Sequence, residues 1–226
     1  MPQSGFEDGF TVATGGSLDT WVKEIHAKVP GAIEGYIYDQ LKLVISDFFQ
    51  HTKAWRAFLG PFEASEGDGT IALNPVDAYS KVIQVLGVVR NGSSLQQVDI
   101  RDVPRYFATD TSETTPSRYY LEPYDVIHLW PVPSADVTEI YVTAALTPRL
   151  RSDNRIQEWV VDQHYEPIKA GVLARLYQEP DKVYTNAMQA EYWGKKYRSE
   201  MVRMRSVADQ GYGERAQPWS FPTWTR

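Results

Sequence analysis

The sequence predicts an α+β fold: an antiparallel helical bundle, an inserted and mostly antiparallel β lobe, and an extended C-terminal arm. Three observations carry this. Apolar residues recur at helical spacing in the first and last thirds of the chain. Between those thirds, short apolar runs alternate with turn residues, the pattern of strands. The final stretch is rich in Gly, Pro and aromatic residues, which cannot extend a helix. The division that follows is residues 1–54 and 151–208 for the helices, 55–150 for the β lobe and 209–226 for the arm. Runs of strands flanked by runs of helices are the mark of α+β architecture.

Residues up to about Gly16 are Gly-rich and carry no periodic pattern. Ser17 is suited to cap a helix bearing Leu18, Trp21, Val22 and Ile25. Pro30-Gly31 ends it. A second helix is expected from about Ala32 to Lys53, with Ile33, Ile37, Leu41, Val44, Ile45 and Phe48 as its apolar stripe. A helix with one such face needs a partner to bury it.

From Trp55 the strands begin. Phe58-Leu59 stands before a turn at Gly60-Pro61, and Gly67-Asp68-Gly69 turns the chain into Ile71-Ala72-Leu73. Asn74-Pro75 marks a further turn. Lys81 to Val89 is Val/Ile-rich, and Asn91-Gly92 is a two-residue hairpin signal before Leu95 to Ile100. Asp110 to Ser117 is expected as an exposed loop. Tyr119-Tyr120-Leu121, Val126 to Trp130 and Thr138 to Leu146 complete one sheet, with Pro131-Val132-Pro133-Ser134 separating the last two strands. Helix resumes after Pro148, capped by Asp153 or Asn154, with Ile156, Trp159 and Val160 on its apolar face. Pro167 is expected to kink or restart it, and Ile168, Val172, Leu176 and Tyr177 continue the stripe. A last helix should run from about Asp181 to Ala208 with Tyr184, Met188, Tyr192 and Met201 inward. Four such helices can close a bundle.

Composition narrows the function. The net charge of −6 argues against a nucleic-acid binder held by bulk electrostatics. The chain has no Cys, which removes disulfides, thiolate chemistry and Cys-based zinc sites. The first residues lack the basic and apolar regions of a signal peptide, and no stretch is apolar enough for a membrane span. His26, His51, His128 and His164 lack helical metal-site spacing, and each is expected at the surface or half-buried. No nucleophile elbow or phosphate loop is present. Glu66 and Asp68 lack the ladder of a calcium loop, so Gly67-Asp68-Gly69 is a turn. Glu113, Glu122 and Asp125 would form an acid/base pair only if folding joined them. The basic set Lys195, Lys196, Arg198, Arg203 and Arg205 suits phosphate or an acidic partner, although a solvated helix face is the favoured reading. No catalytic residue, cofactor site or metal site is expected.

The arm is different. Tyr212, Trp219, Phe221 and Trp224 lie among Pro218 and Pro222, whereas disordered solvating tails are poor in aromatics. Aromatic residues anchor interfaces. Docking on a partner is favoured over folding back on the same chain.

Trp159 to Pro180 resembles the head-to-tail adaptor (connector) proteins of tailed bacteriophages. The matching residues are Glu166, Ile168, Gly171, Ala174, Arg175, Leu176 and Pro180, followed by Tyr184, Asn186, Ala190 and Tyr192. Leu129-Trp130-Pro131-Val132-Pro133 and Ile140 to Pro148 resemble the strand, Pro-rich turn and strand of those proteins. Pro167 stands where the family has an Ala-like residue. The resemblance covers the C-terminal two-fifths in detail and the rest in element order. It implies a non-enzymatic structural protein of the virion neck, made in the host bacterial cytoplasm and assembled as a ring, commonly of twelve copies. The ring would lie beneath the portal protein, extend the DNA channel without reading sequence, and dock a tail or nozzle protein. It also implies portal binding by the arm through Tyr212, Trp219, Phe221, Trp224 and Arg226, with no cofactor and no membrane. Another neck or tail-completion protein is the alternative. A carbohydrate-active enzyme using Glu122 and Asp125 is the weakest reading.

Overall fold

The structure is a computed structural model. It describes residues 12–13, 16–73, 80–102, 115–122, 125–149 and 156–211, with residues 12, 13, 16, 17 and 156–162 described by backbone alone. Its described elements are four helices, two four-stranded sheets and one two-stranded pair, so the molecule is α+β. The predicted signals at Asn74-Pro75, residues 110–114, and Asp153 or Asn154 lie outside the described residues.

The first helix, α1 (Gly16–Lys28), buries Leu18, Trp21, Val22 and Ile25 on one face. Ser17, expected as its cap, falls within its first turn. Helix α2 (Glu34–Thr52) buries Ile37, Leu41, Val44, Ile45, Phe48, Phe49 and Thr52. Ile33 does not join that stripe: it is the extended N-cap residue and is exposed. The helix stops where Lys53 turns left-handed (φ 51°) and its N–H donates to Phe49 O at 2.9 Å. Thr52 Oγ1 donates to Phe48 O at 2.7 Å in the same buried turn.

The strands divide between two sheets where one was expected. The first is ordered β2 (Arg56–Ala64), β9 (Val137–Pro148), β4 (Ser80–Arg90) and β5 (Ser93–Ser94), all antiparallel. The second is ordered β3 (Thr70–Ala72), β8 (Val126–Trp130), β7 (Arg118–Leu121) and β6 (Gln96–Gln97). Within it β6 and β7 run parallel. Asn91-Gly92 makes the expected hairpin, with φ of 45° and 78° at its two central residues; positive φ at both is what a type I′ turn requires. The predicted strand over Leu95 to Ile100 is reduced to β6, with Leu95 buried and Ile100 exposed.

Gly60-Pro61 does not end β2. The strand continues across it with a register shift between Leu59 and Phe62 against β9. Gly60 sits at φ 120°, and a side chain there would begin 2.6 Å from Ile140 O. A bulge on an edge strand absorbs both the Pro and the Gly, since β2 has no described neighbour on its outer side.

A short pair, β1 (Val12–Ala13) with β10 (Ile156–Gln157), leads into α3 (Glu158–Gln178). That helix is continuous through Pro167, so the expected kink or restart is not a restart. Pro167 is buried. Losing one backbone donor costs about 3 kcal/mol in an isolated helix, and the tertiary packing of α3 outweighs it. Helix α4 (Ala187–Asp209) starts later than expected, because Asp181 to Thr185 form a turn closed by Thr185 N–H to Lys182 O at 3.0 Å. Asn186 caps α4 by accepting from Gln189 N–H at 3.1 Å.

The buried apolar side chains form one contiguous cluster that runs from the helices into both sheets. His164 lies in it, buried against Phe48 and Phe49 with ring centroids 5.2 and 5.5 Å away. This corrects the expectation for His164 of a surface or half-buried place; His26 and His128 are half-buried and His51 exposed, as expected. Burial, assisted by the Arg203 charge, lowers its pKa to about 4.

Two predictions follow from this packing. A Cβ on Gly171 of α3 would lie 2.6 Å from Val44 Cγ1 and 3.0 Å from the Tyr197 ring. Gly171→Ala should therefore destabilise the fold by about 1–3 kcal/mol, read as a lower urea midpoint; an unchanged midpoint would show that the seam tolerates separation. His164 is held neutral in the fold, so the unfolded chain binds the extra proton between its ordinary pKa of 6.5 and about 4. Its contribution is complete above pH 6.5 and is lost as pH falls toward 4, amounting to about 3 kcal/mol. Urea unfolding across that range should show a shallower pH dependence for His164→Leu than for the unaltered chain.

Candidate assembly interface

The motif over Glu166 to Pro180 is a packing seam. Gly171 lets α3 approach Val44 of α2 and Tyr197 of α4 together. Gly194 of α4 faces Ala174 of α3, with 4.0 Å from a built Cβ to the Ala174 methyl. Small residues at both positions let helix backbones come close. Tyr197 O–H donates to Asp47 Oδ2 at 2.9 Å. Burial and the Asp47 charge push the Tyr197 phenol up, so it stays a donor. Arg175 Nη2 lies 4.0 Å from the same carboxylate oxygen. Asp47 thus ties α2 to both α3 and α4.

Polar ties close the rim of this seam. Glu166 accepts from Lys169 Nζ at 3.2 Å and from Lys196 Nζ at 3.4 Å, joining α3 to α4. Partial burial works to raise the Glu166 carboxyl, but the two lysines hold it below the usual carboxylate range. Tyr165 O–H donates to Glu24 of α1, and its ring packs on Trp21 at 4.8 Å. Tyr177 O–H donates to Lys28 O at 3.0 Å. Each exposed ion pair contributes about 0–1 kcal/mol; their value lies in fixing helix register.

Helix α4 lies at the outside of this layer. Tyr197, Met204 and Ala208 are buried, with Trp193 and Met201 packed against the core. Met188 and Tyr192, expected inward, are exposed. Aromatic-apolar spacing alone cannot fix which face turns in, and the actual inner stripe runs through Trp193 and Tyr197. Of the basic run, Lys195 pairs with Glu191 at 2.6 Å, Arg203 with Glu200 at 2.8 Å and Arg205 with Asp209 at 4.0 Å. That agrees with a solvated helix face.

Asp209 also holds Arg56, the first residue of β2, at 2.7 Å. The end of α4 is therefore pinned beside an edge strand. On that strand Phe58 is exposed and stacks on Tyr141 at 5.1 Å and 11°. Sequence reasoning placed Phe58 in a strand without singling it out. Its signal was an aromatic just before a Gly-Pro step on an edge strand.

The arm residues Tyr212, Trp219, Phe221, Trp224 and Arg226 lie outside the described residues. Among the enzyme candidates, Glu113 is also outside them. Glu122 is exposed, with Oε2 3.6 Å from His128 Nε2, and Asp125 uses its backbone oxygen to accept from Leu73 N–H at 2.7 Å. Among the described residues no group of three or more His, Cys, Asp or Glu could hold a metal ion, and no helix is long and apolar enough to cross a membrane.

The comparisons with known proteins agree with the motif. The family model described as SU10 adaptor protein matches residues 17–220. No curated protein matches the chain. With the match running from α1 past the end of α4, the chain belongs to the SU10 adaptor protein family, a family of structural phage head-to-tail adaptors and not of enzymes.

Proposed function

We propose that this chain forms a ring beneath the phage portal protein, extends the DNA channel and docks a tail or nozzle protein. Twelve copies is the expected number. In this reading the four helices act as a bundle, the strands of 55–150 as its lobe, and residues 209–226 as an arm that grips the portal. The single observation behind it is membership of a head-to-tail adaptor family over residues 17–220. The rest is physical argument. An adaptor must join two different partners, and the chain offers two chemically different regions for that. One is the aromatic arm with Trp219, Phe221 and Trp224 as anchors, Tyr212 leading into it and Arg226 at its end. The other is the β lobe, where exposed Phe58 stacks on half-buried Tyr141. The net charge of −6 suits passage of DNA without adhesion. The virion neck is the corresponding location.

Aromatic anchors in the centre of an interface carry most of its energy, about 2 kcal/mol or more each. Copies held in a ring bind at high effective concentration, which multiplies the effect of each arm. Removing residues 210–226 should leave helical and sheet content unchanged by circular dichroism and abolish co-purification with portal. Trp219→Ala and Trp224→Ala should each weaken portal binding by about 30-fold or more. Undiminished binding of the truncated chain would refute the arm's role. Capture of a tail protein by a chain that ignores portal would favour a tail-completion protein instead.

A further inference from the structure

We infer that neighbouring copies meet by a heterologous contact, the outer face of α4 in one copy lying against the outer face of α2 in the next. This rests on the ring proposed above and names the surfaces that would build it. Two observations in the described structure carry it.

The first is that one face of α4 carries three apolar side chains which its own chain does not cover, with Lys195, paired to Glu191 at 2.6 Å, between them. Met188, Tyr192 and Val202 are 80%, 58% and 71% exposed. Their spacing of 4 and 10 residues places them within one narrow face of a helix. That face is opposite the stripe of Tyr197 and Met204 that is buried in the helical layer. The small exposed residues Ser199 and Ser206 fall on it too, which permits close approach of another helix. The second observation is a complementary face on α2. Leu43 is 53% exposed and shares the outer side of that helix with Asp39, four residues before it, and with Gly35.

Charge selects this pairing over α4 against α4. Helix α4 has five basic residues and three acidic ones, and α2 has three acidic residues and one Lys. Arg198 flanks this face of α4, and its charge acts on Glu191 without a close ion pair; Asp39 on α2 has no ion pair among the described residues. A two-fold contact between α4 helices would bring together two helices of net positive charge. A contact between two different faces uses both faces of every copy, and it closes into a ring when the rotation between copies closes.

The chain has no Cys, so cross-links report only introduced residues. Full-length chains carrying Leu43→Cys alone and Val202→Cys alone would be mixed in equal amounts, assembled into particles and oxidised. Both sites are exposed, so folding should be retained. The expected result is a disulfide-linked dimer containing one chain of each kind, with little or none from either variant alone. A chain carrying both substitutions should give a ladder of higher multimers. Arg198→Asp or Asp39→Arg alone should reduce the cross-link by about 10-fold, and the two together should restore it. Dimers from Val202→Cys alone would replace the inference with a two-fold contact. Linkage of Val202→Cys to another polypeptide would overturn it. So would absence of the mixed dimer in particles whose images show copies side by side, and there the ring reading itself would stand. Particles holding a single copy would defeat both.

Discussion

The close approach of α2, α3 and α4 at Gly171 is the constraint on which the rest of the molecule depends. A missing side chain there lets Val44 and Tyr197 meet over α3. Once Tyr197 is seated, its hydroxyl reaches Asp47, and Asp47 in turn faces Arg175. Three helices are thus registered by one glycine and one carboxylate. The consequence extends to α4, a helix of 23 residues and about 35 Å that uses one stripe to pack inward. Its other side leaves Met188, Tyr192 and Val202 exposed.

The same packing explains the polar exceptions. Pro167 and His164 sit on α3 in the interior, one lacking a donor and the other carrying a titratable ring among Phe48 and Phe49. Both would be unfavourable in an isolated helix or an isolated core. Both persist because they lie in a layer whose apolar contacts continue into the sheets through Ile140, Val142, Ala144 and Leu146 of β9. The helices and the strands therefore share one cluster, and a change in the seam is felt in the sheet. The pin between Arg56 and Asp209 adds a second route, from the start of β2 to the end of α4.

The family is one of structural phage adaptors, and the polar groups described in this chain are engaged in packing. Among the described residues no metal cluster forms, and two carboxylates approach a histidine, Asp47 with His51 at 3.2 Å and Glu122 with His128 at 3.6 Å. The matched motif residues serve the seam: Glu166 bridges two lysines, Gly171 permits contact, Arg175 faces Asp47, and Asn186 caps α4.

Much of this was legible in the sequence, wherever the cause is local. Helical spacing marked α1 and α2, Asn91-Gly92 marked its hairpin, and the run from Val126 to Trp130 gave β8 its bounds, because periodicity and turn chemistry act over a few residues. The motif from Glu166 to Pro180 was enough to point to a phage adaptor. Tertiary structure decided the rest. Ile33, Met188 and Tyr192 turned outward although their residue types favour burial, since which stripe faces in depends on what stands opposite. Gly60-Pro61 became a bulge and Pro167 an interior helix residue because neighbours outside the local window absorbed their cost. The split into two sheets and the burial of His164 arise from contacts between residues far apart in the chain, and no local pattern encodes those.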